Sequence, residues 1–139
     1  MNSLENIDFL RECHHLQYLN LAQNKITDIT PLTKLQKLIE INLEMNQITK
    51  IQPLTSPVLT KINFHNNKIE VLENFEHLFS LKYLNLYRNN IKAVTGLNKC
   101  NSLEYLNIGR NQLTTFPSLD YLPFLKHLIL YFNKIETMS

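Results

Sequence analysis

The residues of this 139-residue chain that could do chemistry are few: Glu40 and Glu44, the pair His14-His15, three further histidines at His65, His77 and His127, and two cysteines, Cys13 and Cys100. Glu40 and Glu44 are the best acid–base pair. Four residues apart on a strand they stand about 13 Å from each other, beyond the ~5–9.5 Å over which paired glycosidase carboxylates work. The histidines have neither helical nor finger-type ligand spacing, and no cysteine pair accompanies them, so no metal site is expected. Only Gly96 and Gly109 are glycines, so there is no phosphate-cradling loop. The expectation is a chain that is not an enzyme and takes no cofactor.

The elements that must position these residues follow from composition and period. A net charge of +2 gives no general grip on nucleic acid or anionic lipid, and 44% hydrophobic content supports one ordinary core. The longest unbroken apolar run, Leu128 to Phe132, is far short of the ~20 residues of a membrane helix. The decisive feature is self-similarity. Leu16, Leu19, Leu21, Asn24 and Ile26 recur as Leu38, Ile41, Leu43, Asn46 and Ile48, and four more times down the chain. The asparagines Asn24, Asn46, Asn67, Asn89, Asn111 and Asn133 are spaced 22, 21, 22, 22 and 22 residues apart. Alternation in Leu-x-Leu is the period of a strand buried on one face, and the wider apolar spacing after it suits a turn and a return. No single unit can bury its apolar face, so stacked units supply the core. An asparagine at the corner offers both donor and acceptor to main-chain groups leaving the sheet.

This pattern resembles the leucine-rich repeat family, whose Leu-x-x-Leu-x-Leu-x-x-Asn-x-Ile core stands here six times between Leu16 and Ile135. The resemblance implies an α/β solenoid: a right-handed superhelix with a six-strand parallel concave sheet and short 3₁₀ or helical convex returns. The 22-residue spacing is similar to that of a nuclear regulator of protein phosphatase 1, and axonemal proteins and bacterial internalins share it. Thr30-Pro31, Gln52-Pro53 and Phe116-Pro117 are expected to start helical returns. The third unit, one residue short around Ser56-Pro57-Val58, is expected to perturb one return and spare the strands.

Residues 1–139 read as one repeat domain, with 1–15 as a partial repeat or cap and 16–139 as six repeats. Ser3 to His15 is expected to cover the first strand as a polar-faced turn or short helix. The last strand is expected to be left open, which suggests a fragment, self-association, or another chain over the C-terminal edge. Cys13 and Cys100 fall in one template slot four repeats apart, about 19 Å by strand spacing, so they cannot bridge within a molecule. Both are expected to be buried apolar cysteines. Unpaired thiols, with no Asn-x-Ser/Thr acceptor among eighteen asparagines, point to an intracellular, cytoplasmic or nuclear, location.

If the leucines face inward, the residues between them form four columns on the concave surface. The first holds Tyr18, Glu40, Lys61, Tyr83, Tyr105 and His127; the second Asn20, Asn42, Asn63, Asn85, Asn107 and Ile129. The third holds Ala22, Glu44, His65, Tyr87, Gly109 and Tyr131, and the fourth Gln23, Met45, Asn66, Arg88, Arg110 and Phe132. Five of six tyrosines fall here, whereas Phe64, Phe75 and Phe116 take core slots. Tyr83, Tyr87, Arg88, Tyr105, Arg110, His127, Tyr131 and Phe132 would make one patch over the last three repeats, of the residue types that dominate binding hot spots. The expected function is a non-catalytic scaffold that holds a protein partner on this face, with a phosphatase-regulator-like role implied by the resemblance. Alternatives are an axonemal, cytoskeletal or bacterial effector adaptor, or nucleic-acid binding along the groove through Lys61, Arg88 and Arg110. Glu40 and Glu44 are expected to pair sideways with Lys61 and His65, and the second-column asparagines to be solvated filler, with an amide ladder along the sheet as the alternative.

Overall fold

The computed structural model describes residues 2–136. Its six strands are β1 (Tyr18–Asn20), β2 (Glu40–Asn42), β3 (Lys61–Asn63), β4 (Tyr83–Asn85), β5 (Tyr105–Asn107) and β6 (His127–Ile129). They form one parallel sheet in sequential order. Template positions align across every pair, as in Tyr83↔Tyr105, Leu84↔Leu106 and Asn85↔Asn107. The chain is therefore a solenoid of the expected class, one repeat per rung.

Each strand is short because the chain caps itself. The second-column asparagines are not filler: the side-chain oxygens of Asn20, Asn42, Asn63, Asn85 and Asn107 each accept the main-chain N–H two residues on, at 2.9–3.0 Å. This Asx turn bends the strand out of the sheet. The residue immediately after that N–H, at Gln23, Met45, Asn66, Arg88 and Arg110, takes a left-handed φ of 51–62°, as does its counterpart Phe132. That conformation costs a non-glycine residue about 1–2 kcal/mol, and it swings the following asparagine inward.

Inside, the asparagines stitch rungs together. Asn46 Oδ1 accepts the Ile26 N–H at 3.0 Å, while its Nδ2 donates to the carbonyls of Leu21 at 3.0 Å and Leu43 at 3.1 Å. Asn67, Asn89, Asn111 and Asn133 repeat the arrangement. Among the described residues no buried side-chain nitrogen or oxygen lacks a partner. Around this ladder the aliphatic slots are closed to solvent, with Ile41, Ile62, Leu84 and Leu106 at most 1% exposed.

The returns depart from expectation. Only Asp8–Leu10 and Thr30–Leu32 are 3₁₀ turns among the described residues, and neither Gln52-Pro53 nor Phe116-Pro117 starts one. Across the 18 or 19 residues between strands, most returns close by isolated turns that satisfy the main chain locally. Phe116 is 37% exposed, and the adjacent Pro117 is buried instead. The short third unit leaves the register of β2, β3 and β4 continuous. There the buried Ser56 hydroxyl lies 2.7 Å from the Leu38 carbonyl, filling the gap with a polar contact.

The ends are looser than the middle. The segment before β1 continues the ladder, since Leu4 N–H donates to Asn24 Oδ1 and Lys25 N–H to the Leu4 carbonyl. It buries Ile26 and Ile29 fully, yet Leu16 and Leu19 stay half-buried, because this partial repeat brings no strand of its own. Cys13 is exposed for the same reason, against expectation: no earlier rung packs on it. Cys100, its counterpart between two rungs, is buried, and desolvation pushes its thiol up to about 12. At the other end Leu125, Leu128 and Leu130 are half-buried, and β6 pairs only with β5 among the described residues.

Candidate concave binding surface

The four columns stand side by side on the sheet, and the rings on them join into two rows. In the first row Tyr83 and Tyr105 stack at 4.3 Å with 6° between their planes, and His127 follows at 6.1 Å. Lys61 extends the row by placing Nζ 4.7 Å from the Tyr83 ring centre. Lys61 is thus committed to an aromatic face and forms no ion pair with Glu40. Partial burial raises the Tyr83 hydroxyl above its ordinary value, and the neighbouring Tyr105 adds to the rise. At neutral pH it is therefore a hydrogen-bonding group without charge.

The second row runs along the third and fourth columns. Glu44 Oε2 lies 3.8 Å from His65 Nδ1, as the lateral register implies, and accepts Asn63 Nδ2 at 3.2 Å. His65 meets Tyr87 edge-on at 5.2 Å, and Tyr87 reaches Tyr131 at 5.9 Å. Those two tyrosines sit two rungs apart. The rung between them carries Gly109, where an added Cβ would stand 2.9 Å from Tyr87 Cδ2, so the missing side chain is the space Tyr87 occupies. Arg110 Nε donates to the Tyr87 hydroxyl at 2.8 Å, and its guanidinium lies 4.4 Å over the Phe132 ring. Tyr131 closes on Phe132 at 5.1 Å.

Of the eight residues expected to form one patch, Tyr83, Tyr105 and His127 therefore belong to one row and Tyr87, Arg110, Tyr131 and Phe132 to the other. Buried Asn85 and Asn107 lie between them. The Arg88 side chain is exposed and makes no hydrogen bond or ion pair among the described residues, while its main-chain N–H donates to the Gly109 carbonyl at 2.9 Å. Sequence reasoning passed over a depression of about 290 Å³ on the other half of this face, lined by Tyr18, Asn20, Glu40, Asn42, Lys61, Asn63 and Tyr83. Its signal was in the first column, where two tall tyrosines flank two shorter residues. A second depression of about 220 Å³, among Val94, Leu97, Tyr121 and Leu122, lies on the convex side.

Among the described residues no group of three His, Cys, Asp or Glu side chains could hold a metal, and no helix is long and apolar enough to cross a membrane. The exposed ion pairs Arg11–Asp8 and Lys126–Glu104 are too solvated to matter much for stability.

A family model described as "Leucine Rich repeats (2 copies)" matches residues 1–34, 14–56 and 79–121. Comparison with curated proteins found no match. Among solved structures, an internalin (inlF) from Listeria monocytogenes superposes with a TM-score of 0.66 at 25% identity, over 99% of this chain and 48% of that one. Internalin C2 from the same organism gives 0.73 at 26%, over 99% and 71%. The TLR13 of a TLR13–ssRNA13 complex gives 0.79 at 26% identity, over 89% of this chain and 19% of that one. This chain spans about half the length of the first internalin. The family model covers more than half of the chain, the six rungs repeat one template, and the chain belongs to the leucine-rich repeat family.

Proposed function

We propose that this chain is a non-catalytic interaction scaffold that holds a protein partner against the concave surface of β4, β5 and β6. One observation carries the reading: rings and an arginine are held in place by one another while facing solvent, Tyr131 at 55% and Phe132 at 64% exposure. Groups fixed before binding lose little entropy on binding, and exposed aromatic side chains beside arginine are the common anchors of protein interfaces. Solenoids of this kind present their concave surface as an extended binding platform. Within this reading, the 22-residue spacing supports a regulatory role toward a phosphatase, and the unpaired thiols support an intracellular place of action.

Nucleic acid is the second reading, favoured by Lys61 and Arg110 beside aromatic rings and by the TLR13 structure, a complex with single-stranded RNA. Glu40 and Glu44 on the same face oppose it, and binding that falls steeply with salt would identify it. Site-specific photo-crosslinking in native extract tests the main reading. A crosslinking amino acid at Tyr131 should give protein adducts, and one at the convex Tyr121 should give none. Adducts from Tyr121 alone would move the site to the other side.

A further inference from the structure

The fourth column poses a problem that the fold does not explain. Its six residues all take the left-handed conformation at the exit from the strand, a conformation best suited to glycine or asparagine, and Asn66 meets the requirement without difficulty. Arg88 and Arg110 occupy the same turn on neighbouring rungs, about 4.8 Å apart by strand spacing. Like charges side by side repel, and among the described residues no acid pairs with either. The four columns over β4, β5 and β6 contain no Asp or Glu, whereas Glu40 and Glu44 lie on the β2 side. Two arginines thus stand where neither the backbone nor the local electrostatics favours them.

Resting on the proposed concave site, we infer that this pair is a receptor for a carboxylate side chain of an acidic, partly apolar peptide segment of the partner. Arg110 spends Nε on the Tyr87 hydroxyl and holds its guanidinium carbon 4.4 Å from the Phe132 ring centre. That fixes the guanidinium and leaves its terminal nitrogens to grip a carboxylate through two parallel hydrogen bonds. Arg88, exposed and unpartnered, supplies the second cation to the same anion. Exposed faces of Tyr131 and Phe132 beside the pair take an apolar neighbour of the acid. Partial desolvation by those rings strengthens the contact relative to one in open water.

Selection of random twelve-residue peptides displayed on phage against the full chain tests this without knowledge of the natural partner. Enriched peptides should contain Asp or Glu beside an apolar residue well above the unselected library. A synthetic copy of the best peptide should lose about tenfold or more in affinity to Arg88→Asn/Arg110→Asn, which keeps the turn in the form Asn66 already uses. Selection against Arg88→Glu/Arg110→Glu should turn toward Lys and Arg. Peptides that lack acids, or an acidic peptide that binds both double variants unchanged, would overturn the inference. If such peptides still failed on Tyr131→Ser, the concave site would stand with a different partner chemistry. A twelve-nucleotide single-stranded RNA that outcompetes every selected peptide would overturn it in favour of nucleic acid. Absence of any enriched peptide would also overturn it, and the crosslinking experiment would then decide the concave site alone.

Discussion

Asn89 shows what a single side chain does here. It accepts the Ile69 N–H and donates to the carbonyls of Phe64 and Leu86, so three main-chain groups on two neighbouring rungs depend on one amide. Asn89→Ala leaves them in a closed interior with no water to replace the partner, at a cost of about 1–3 kcal/mol. A urea titration should show the midpoint fall with the slope little changed, and an unchanged midpoint would contradict the ladder's structural role. The six ladder positions are legible from spacing, because only one slot per repeat is both polar and inward. Their second-column counterparts are not. Asn42 and Asn85 read as solvent-facing residues, since a strand alternation says which face a side chain leaves from and nothing of its return to its own main chain. The left-handed turn at Met45 or Phe132 is equally hidden, because these residue types do not favour it and the neighbouring hydrogen bonds impose it.

At the scale of elements, the strands follow from the 22-residue period and the returns do not. Leu-x-Leu fixes which residues face inward, and the register of neighbours in sequence does the rest. Between strands the apolar spacing admits a helix or a series of turns, and with 18 or 19 residues, part of them taken by the corner after each strand, the turns prevail. Lateral pairs such as Glu44–His65 can be read directly from columns, but contacts that skip a rung cannot. Tyr87 and Tyr131 meet because the rung between them carries Gly109 just after β5. Gly109→Ala therefore tests the second row as a unit. Its methyl would meet the Tyr87 ring, displace it from Tyr131 and release Arg110, costing about 1–3 kcal/mol of overpacking strain. Alanine in place of a glycine whose φ is not left-handed normally gains stability, so a thermal midpoint that rises would contradict this packing.

For the whole molecule, the rungs make a stack in which each repeat is closed only by its neighbours. That is why Ile62 and Leu84 are sealed while Leu19 and Leu128 are half-buried, and why Cys13 and Cys100 in one template slot have opposite exposure. The template treats all repeats alike, so no repeat-based reading could tell them apart without asking what lies on either side. The concave columns were legible as a list. Their division into two ring rows, and the depression between Tyr18 and Tyr83, come from side-chain size and sheet curvature acting together.

The account rests most on binding to the concave surface, and amide chemical-shift mapping of the ¹⁵N-labelled full chain with the best selected peptide tests that directly. It predicts shifts concentrated in Tyr83–Arg88, Tyr105–Arg110 and His127–Phe132, with the convex Val94–Asn98 unmoved. Shifts centred on Val94–Asn98 and Tyr121, with those three concave stretches silent, would contradict it.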